Sequence, residues 1–552
     1  MKMRRITAIL LPILLSFTAY AAEFTLSGKN LTTEQVTRIA RDNSIKVTYG
    51  ESASKAVSDS FDLVMEAALQ GRPVYGLTVG VGWNKDQPVF AEKDGKRVLN
   101  EDLVALSKAF NLTSLRAHGG GIGAPMPKDV VRASMVIRLN QILTGRTGVQ
   151  PEVAQMYLAF LNSGIVPVVP SRGSVGEADI TQLSHIGLAM VGEGDVFYQG
   201  TEMPAKEALD KAGLAPLDII GKDFLSILSN NSLTAAHSTL MAEDVESYLH
   251  KQAVVFALML EGYNGNVAPF LKGTAAIRPF PGFQKGAALL NDALDGSYLW
   301  QPSNQRALQD PLSFRNAAYT IGNALESQNQ LEAMLEIHIN HSDDNPVVVV
   351  DAPRDGISEQ EKNYFIEGDV SGAIFPTANF EILPVGARVE GLNRALVRLS
   401  QSITMQTIRL ENPALTKLSR FLSAEGNNGH AFGAMQKPIV ALHVENAQIG
   451  LNAPIDTMAM AGNIEDIATN APLAVANLET ILDNLYWMSS IQMLHAAQAV
   501  DLRGDITLAS KTKRLFDAYR GEVPFVDQDR IYSNDFAAGY RFLQSLSTGQ
   551  AQ

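Results

Sequence analysis

A chain of 552 residues, 46% hydrophobic and 19% charged, can bury a large core and is neither disordered nor collagen-like. Its formal net charge of −13 supplies no basic field for counterion release, which argues against a nucleic-acid partner. With no cysteine, it has no disulfides, thiolate metal ligands or cysteine nucleophile.

Lys2, Arg4 and Arg5 precede an apolar run from Ile6 to Tyr20, and Ala19-Tyr20-Ala21 has the small-x-small form of a cleavage site. This pattern predicts a signal peptide over 1–21, a mature N-terminus at Ala22 and a periplasmic or secreted location. The run is shorter than the ~20 residues of a membrane span, and no other stretch of that length is apolar, so no span is expected after cleavage.

Helix-like patterning over 32–43 and 51–70 ends at Gly71-Arg72-Pro73. Two glycine-rich loops follow, Tyr75 to Gly82 (YGLTVGVG) and His118 to Pro125 (HGGGIGAP). Neither fits G-x-x-x-x-G-K-[ST] or a strand–G-x-G-x-x-G–helix unit, so they read as backbone that passes close to a ligand or takes positive φ. A helical pattern returns from about 126 to 162, breaks at Pro167 to Gly176 (PVVPSRGSVG) and restarts near Ala178, while 196–222 reads as a small surface excursion. Long apolar-periodic stretches then dominate, over about 232–262, 313–341, 381–410, 430–451 and 464–502. Helices of that length must bury broad faces against one another, which predicts a mainly α chain with a long central bundle, and an oligomer. The division suggested is a helical and loop part over 22–225, carrying Tyr75 and the GSVG segment, and a helical bundle over 226–552.

Several residues could carry chemistry. Tyr75 can act as a general base if its pKa is lowered, although a loop tyrosine taken alone is more often packed. His118, before three glycines, reads as structural unless a site surrounds it. His338-Ile339-Asn340-His341-Ser342-Asp343-Asp344-Asn345-Pro346 is rich in donors, yet its spacing fits no metal site well and suits a helix end and turn better. In Gln309-Asp310-Pro311-Leu312-Ser313-Phe314-Arg315, the arginine's planar fork suits a carboxylate, the alternative being a surface ion pair.

The order of these motifs carries more weight than any one. YGLTVGVG, LRAHGGGIG, VRASMVIRLNQILTGRTGV, PVVPSRGSVG, QDPLSFR, NHSDDNPVV, ANF and VEN follow one another as in the histidine/aromatic amino acid ammonia-lyase family, which the chain resembles from about residue 33 to 500. The resemblance implies a mostly helical, ammonia-lyase-like fold and a homotetramer whose sites combine several subunits. It also implies elimination of an α-amine with an adjacent β-proton from an aromatic amino acid. Carried over by position, Tyr75 matches the β-proton base, His118 the histidine near the site, and Arg315 the carboxylate clamp with Gln309 in its motif. Phe380 matches a phenylalanine packed beside the substrate, and Glu445 the glutamate of histidine-acting members.

One motif departs from the pattern. The family's electrophile, a methylidene-imidazolone, forms from an Ala-Ser-Gly triad after a Gly-Ser-Val-Gly run. Here Gly173-Ser174-Val175-Gly176 is followed by Glu177-Ala178-Asp179-Ile180, with no serine to supply the dehydroalanine carbon. Leu312 replaces a tyrosine, Ser229 an asparagine, and Asn379-Phe380-Glu381-Ile382 a glycine-rich run. Base and clamp are thus kept while amine activation is lost, so no cofactor is expected. A quaternary trimethylammonium needs no activation, and Glu177 and Asp179 are expected to hold such a cation, to cap a helix, or both. This resembles the ergothionase branch, which releases trimethylamine from a histidine betaine without that electrophile. Two other readings are a catalytically silent amino-acid or betaine binder and an ordinary histidine ammonia-lyase.

The intact mass of the mature protein should therefore equal that of its encoded chain. A deficit of two waters localised to 174–180 would contradict this, as would inactivation by borohydride or cyanide.

Overall fold

The computed structural model describes residues 22–80, 101–452 and 455–546. The expected leader over 1–21, and Val81 and Gly82 of the first glycine-rich loop, lie outside the described residues.

The N-terminal half is built of short helices: α1 (Thr33–Arg41), α2 (Glu51–Leu69), α3 (Glu101–His118), α4 (Lys128–Ile142), α5 (Pro151–Ser163), α6 (Ile180–Met190), α7 (Ala205–Ala212) and α8 (Asp223–Leu228). A capping box starts α1: Thr32 Oγ1 accepts from the Gln35 N–H at 3.2 Å, and Gln35 Oε1 accepts from the Thr32 N–H at 3.0 Å. The helical stretch expected over 126–162 divides into α4 and α5, because Gly145 and Gly148 take positive φ and Pro151 begins a new helix. The excursion over 196–222 is a hairpin of Asp195–Tyr198 with Thr201–Pro204, followed by α7. The sequence did not announce α3: its apolar residues Val104 and Leu106 are exposed while Leu115 is buried, so no continuous buried face marks it.

The second half holds the long elements. They are α9 (Ser232–Tyr263), α10 (Lys272–Ile277), α11 (Pro281–Ala293), α12 (Leu312–Arg315), α13 (Ala317–Ile339), α14 (Glu359–Lys362), α15 (Leu383–Leu410), α16 (Pro413–Thr416), α17 (Gln436–Gly450), α18 (Ala471–Arg503), α19 (Ser510–Glu522) and α20 (Tyr532–Ser545). Helices α9, α15 and α18 form the centre and run parallel. Tyr248 bonds Ser489 at 2.7 Å, Gln252 bonds Gln492 at 2.6 Å, and Arg503 reaches the Gly262 carbonyl at 2.8 Å. In the same sense Asn393 bonds the Ala474 carbonyl and Glu411 meets His495. Helix α13 runs the other way, from Phe314, stacked on Tyr263 at the far end of α9, to Asp343 beside the start of α9. One continuous buried cluster extends from Leu26 to Leu543 and includes residues on both sides of position 225.

A buried ion triad ties the two halves together. Arg138 on α4 meets Asp343 at 3.0 Å and Asp344 at 2.7 Å, with all three side chains at most 2% exposed. Among the described residues no three His, Asp or Glu side chains are grouped to hold a metal, and no helix is long and apolar enough to cross a membrane. In the motif His338–Pro346, the two aspartates serve Arg138. Arg138→Met keeps the volume and strands two buried carboxylates, so it should cost about 3–5 kcal/mol of unfolding free energy. A shift in the urea midpoint measures this loss.

Candidate active site

The site is organised around α8 and the residues that follow it. Tyr75 is half-buried in the turn Val74–Val79, closed by Gly76 N–H on the Val79 carbonyl at 3.1 Å and Leu77 N–H on the Val74 carbonyl at 3.1 Å. Gly76 has φ +70°, and a Cβ there would collide with Leu225 of α8, so only glycine lets the turn pack this closely. His118 ends α3, its Nδ1 bonded to the Ser114 carbonyl at 2.7 Å and its ring 6.4 Å from that of Phe224 on α8. The strand Ile122–Pro125, just after His118, pairs antiparallel with Pro170–Arg172, which leads into Gly173-Ser174-Val175-Gly176. Tyr75 and His118 thus flank α8, and the GSVG segment lies beside the second glycine-rich loop.

Segment 174–179 sits where α9, α15 and α18 all begin. Ser174 Oγ accepts from Gly176 N–H at 3.0 Å, and Asn470 N–H bonds the Val175 carbonyl at 2.7 Å. Ala178 adopts φ +65°, which a residue with a side chain takes only under constraint. The constraint is Asn231, whose Oδ1 accepts from Ala178 N–H at 3.1 Å. Its amide Nδ2 also donates to the Phe380 carbonyl. Residue Glu177 bridges backbone to backbone with Glu381, so the segments carrying Glu177 and Phe380 run side by side.

The two acids of the segment have different fates. Asp179 stands at the N-cap position of α6 but makes no side-chain cap there. It is fully enclosed, and its carboxylate accepts from the Thr234 N–H at 2.8 Å and the Thr234 hydroxyl at 2.7 Å, so it caps α9. Burial pushes its pKa up, opposed by the Thr234 and Ser174 bonds. Glu177 is half-buried, with Oε1 enclosed and without a hydrogen-bond partner. Burial first, then the nearby Glu381 and Glu465, push its pKa up to about 7, against a backbone bond from Thr469. Glu381 Oε1 accepts from Leu383 N–H at 2.7 Å and so caps α15. Sequence reasoning flagged Glu381 as a departure without a role and assigned none to Asn231; a polar residue just before a helix start is the one local signal for both.

Gln309, Arg315 and Glu445 lie elsewhere on the chain. Arg315 is half-buried before the first turn of α13, Gln309 is exposed, and Glu445 is exposed on α17 with Val440 and Val444. The 23 residues of α13 separate Arg315 from Asp343, which accepts from Asn231 N–H at 2.9 Å. At 1.5 Å per residue that is about 34 Å. Within one chain, therefore, Arg315 does not meet Tyr75 or Glu177.

Residues 31–521 match the profile of the family described as aromatic amino acid lyase. The chain belongs to the aromatic amino acid lyase family. It is similar to the histidine ammonia-lyase of Geobacillus thermodenitrificans (strain NG80-2), 31% identical over 515 residues, 93% of this chain and 95% of the relative. It is also similar to the solved ergothioneine-degrading enzyme ergothionase from Treponema denticola, in complex with desmethyl-ergothioneine sulfonic acid. That likeness has 36% identity and a TM-score of 0.86, and covers 95% of this chain and 99% of that one. The histidine ammonia-lyase from Trypanosoma cruzi shares the fold at 20% identity, with a TM-score of 0.81 over 96% of this chain and 94% of that one. Membership makes the chain a carbon–nitrogen lyase with an ammonia-lyase fold.

The elevated carboxyl of Glu177 has a thermodynamic sign. Raised from 4.5 to about 7, it contributes stability that is fully present below the lower value and lost as the pH rises through the higher one. Glu177→Gln mimics the protonated form. Its melting temperature should match the parent near about pH 3.5 and exceed it near about pH 8.5, as calorimetry would read.

Proposed function

We propose that this lyase acts in the periplasm on an aromatic, histidine-type amino acid or its betaine, and does so without a methylidene-imidazolone. The product is an arylacrylate such as urocanate or thiolurocanate. The observation that carries this reading is the segment Gly176-Glu177-Ala178-Asp179, which has no serine where the family's triad stands. Its amides are also engaged, Ala178 N–H with Asn231 and Asp179 N–H with the Asn230 carbonyl at 2.7 Å, so the residues do not fit that group. The 36% identity to ergothionase supports a betaine as substrate. The leader pattern of residues 1–21 supports export.

The chemistry balances without an electrophile. Tyr75 takes the β-proton, the C–H pair becomes the new C=C bond, and the C–N bond breaks towards nitrogen. A trimethylammonium leaves with that pair as neutral trimethylamine. Glu177, with an unpartnered oxygen and Glu381 beside it, attracts the permanent cation before it leaves. Phe380 packs beside the substrate with His118 at its rim, and Gln309 and Glu445, like Arg315, are supplied by other subunits. Arg315 binds the carboxylate as a bidentate fork. Since the length of α13, about 34 Å, separates Arg315 from Asp343 and the Asn231 that bonds it, Arg315 serves the site of another subunit, in a homotetramer. Leu308 and Leu312 beside Arg315, 90% and 63% exposed, support a subunit contact there.

The test incubates purified mature protein with ergothioneine, histidine, tyrosine and phenylalanine, following arylacrylate absorbance, ammonia and trimethylamine. Trimethylamine from ergothioneine is expected. Ammonia from histidine would favour an ordinary histidine ammonia-lyase, and betaine binding through Arg315 without turnover would make the protein a binder. Tyr75→Phe should lower turnover by about 10²–10⁴ with binding retained. Arg315→Ala should instead raise KM, because the substrate carboxylate loses its charge-assisted partner.

A further inference from the structure

Asn231 is fully buried and joins three parts of the molecule. Its own N–H donates to Asp343 Oδ2 at 2.9 Å, and Arg138 holds that aspartate at 3.0 Å, so the residue is anchored to the triad between the two halves. Its carbonyl accepts from Ala235 N–H at 2.9 Å, which opens α9. The side chain is left to act outward. Oδ1 takes the Ala178 N–H at 3.1 Å and Nδ2 gives to the Phe380 carbonyl, one residue from Glu177 and one from Glu381 respectively. Both ends of one rigid amide are thus used on the two segments that carry the carboxyl pair. Ala178 between them is held at φ +65°, so that Asp179 turns into the core against Thr234 while Glu177 turns towards Glu381 and Thr469.

We propose that Asn231 is the positioning residue of this site, its side-chain amide setting the separation of Glu177 and Glu381 and so the selection of a cationic amine. This rests on the reading of Glu177 as the cation's partner. Alanine at 231 leaves the backbone bonds to Asp343 and Ala235 in place and frees only the two segments. Aspartate at 231 keeps the acceptor for Ala178 but turns the donor facing Phe380 into a second acceptor.

Hydrogen exchange followed by mass spectrometry on the full mature protein tests the positioning without substrate. In Asn231→Ala, exchange over 174–180 and 378–383 should accelerate at least about tenfold, with the middle of α9 unchanged. In Asn231→Asp the acceleration should be confined to 378–383. Equal loosening of all of α9, or unchanged protection of both segments, overturns the proposal. A double-mutant cycle with ergothioneine reads the consequence. Asn231→Ala alone should lower kcat/KM for trimethylamine release by up to about a hundredfold. On a Glu177→Gln background it should cost less than about threefold more, because it acts through Glu177. Losses that multiply overturn the coupling. If the parent protein releases no trimethylamine, the substrate reading fails and the exchange result alone decides the role of Asn231.

Discussion

Three long helices start at one place, and the rest of the site follows from how their first turns are satisfied. A helix N-terminus leaves N–H groups without intrahelical partners and carries a partial positive charge. Asp179 satisfies α9 through Thr234, Glu381 satisfies α15 through Leu383, and Thr469 Oγ1 accepts from Ala471 N–H at 3.3 Å to satisfy α18. Each cap comes from a segment that also borders the Glu177 loop. The parallel order of α9, α15 and α18 therefore brings the Glu177, Phe380 and Thr469 segments together as a by-product of capping the bundle.

That arrangement also explains why carboxyl groups tolerate this end of the molecule. The positive ends and the Thr234 bonds partly offset the burial of Asp179, which is why it can be fully enclosed without a basic partner among the described residues. Glu177 receives less: burial and the neighbouring acids push it to about 7, and one oxygen has no hydrogen bond. A group so placed gains when a cation arrives, since the cation favours the ionised form that burial penalises. The same local electrostatics thus leaves one acid hydrogen-bonded in the core and its neighbour two residues earlier with an unpartnered oxygen.

Residues that the family's motif order groups with Tyr75 lie far from the Glu177 segment in this chain. Antiparallel α13 carries Arg315 away from Asn231 by its full length, and α17 presents Glu445 on a face where Val440 and Val444 are exposed. Apolar side chains at such positions favour burial against another surface. Charged residues beside them would be desolvated together with such a contact, which strengthens their electrostatic interactions.

Much of this fold is legible in the sequence because helical periodicity is a local property. The stretches expected at 232–262, 381–410 and 51–70 correspond to Ser232–Tyr263, Leu383–Leu410 and Glu51–Leu69, since apolar residues there recur on the spacing that one buried face requires. The loop after Tyr75 and the end of α3 at His118 both pack on α8, and the segments carrying Glu177 and Phe380 run side by side. The target of Asp179 was not legible. Sequence proximity points to α6, and the structure gives the carboxylate to Thr234, 55 positions away. Nor was Asn231, whose partners Ala178 and Phe380 are 53 and 149 positions distant. A hydrogen bond between distant residues depends on which helices pack side by side and in which direction, and no periodicity within one helix encodes that choice. The sequence by itself determined the helices and the residue types for a lyase; the packing of α9, α15 and α18 in parallel decided which acid is locked in the core and which keeps an unpartnered carboxylate oxygen.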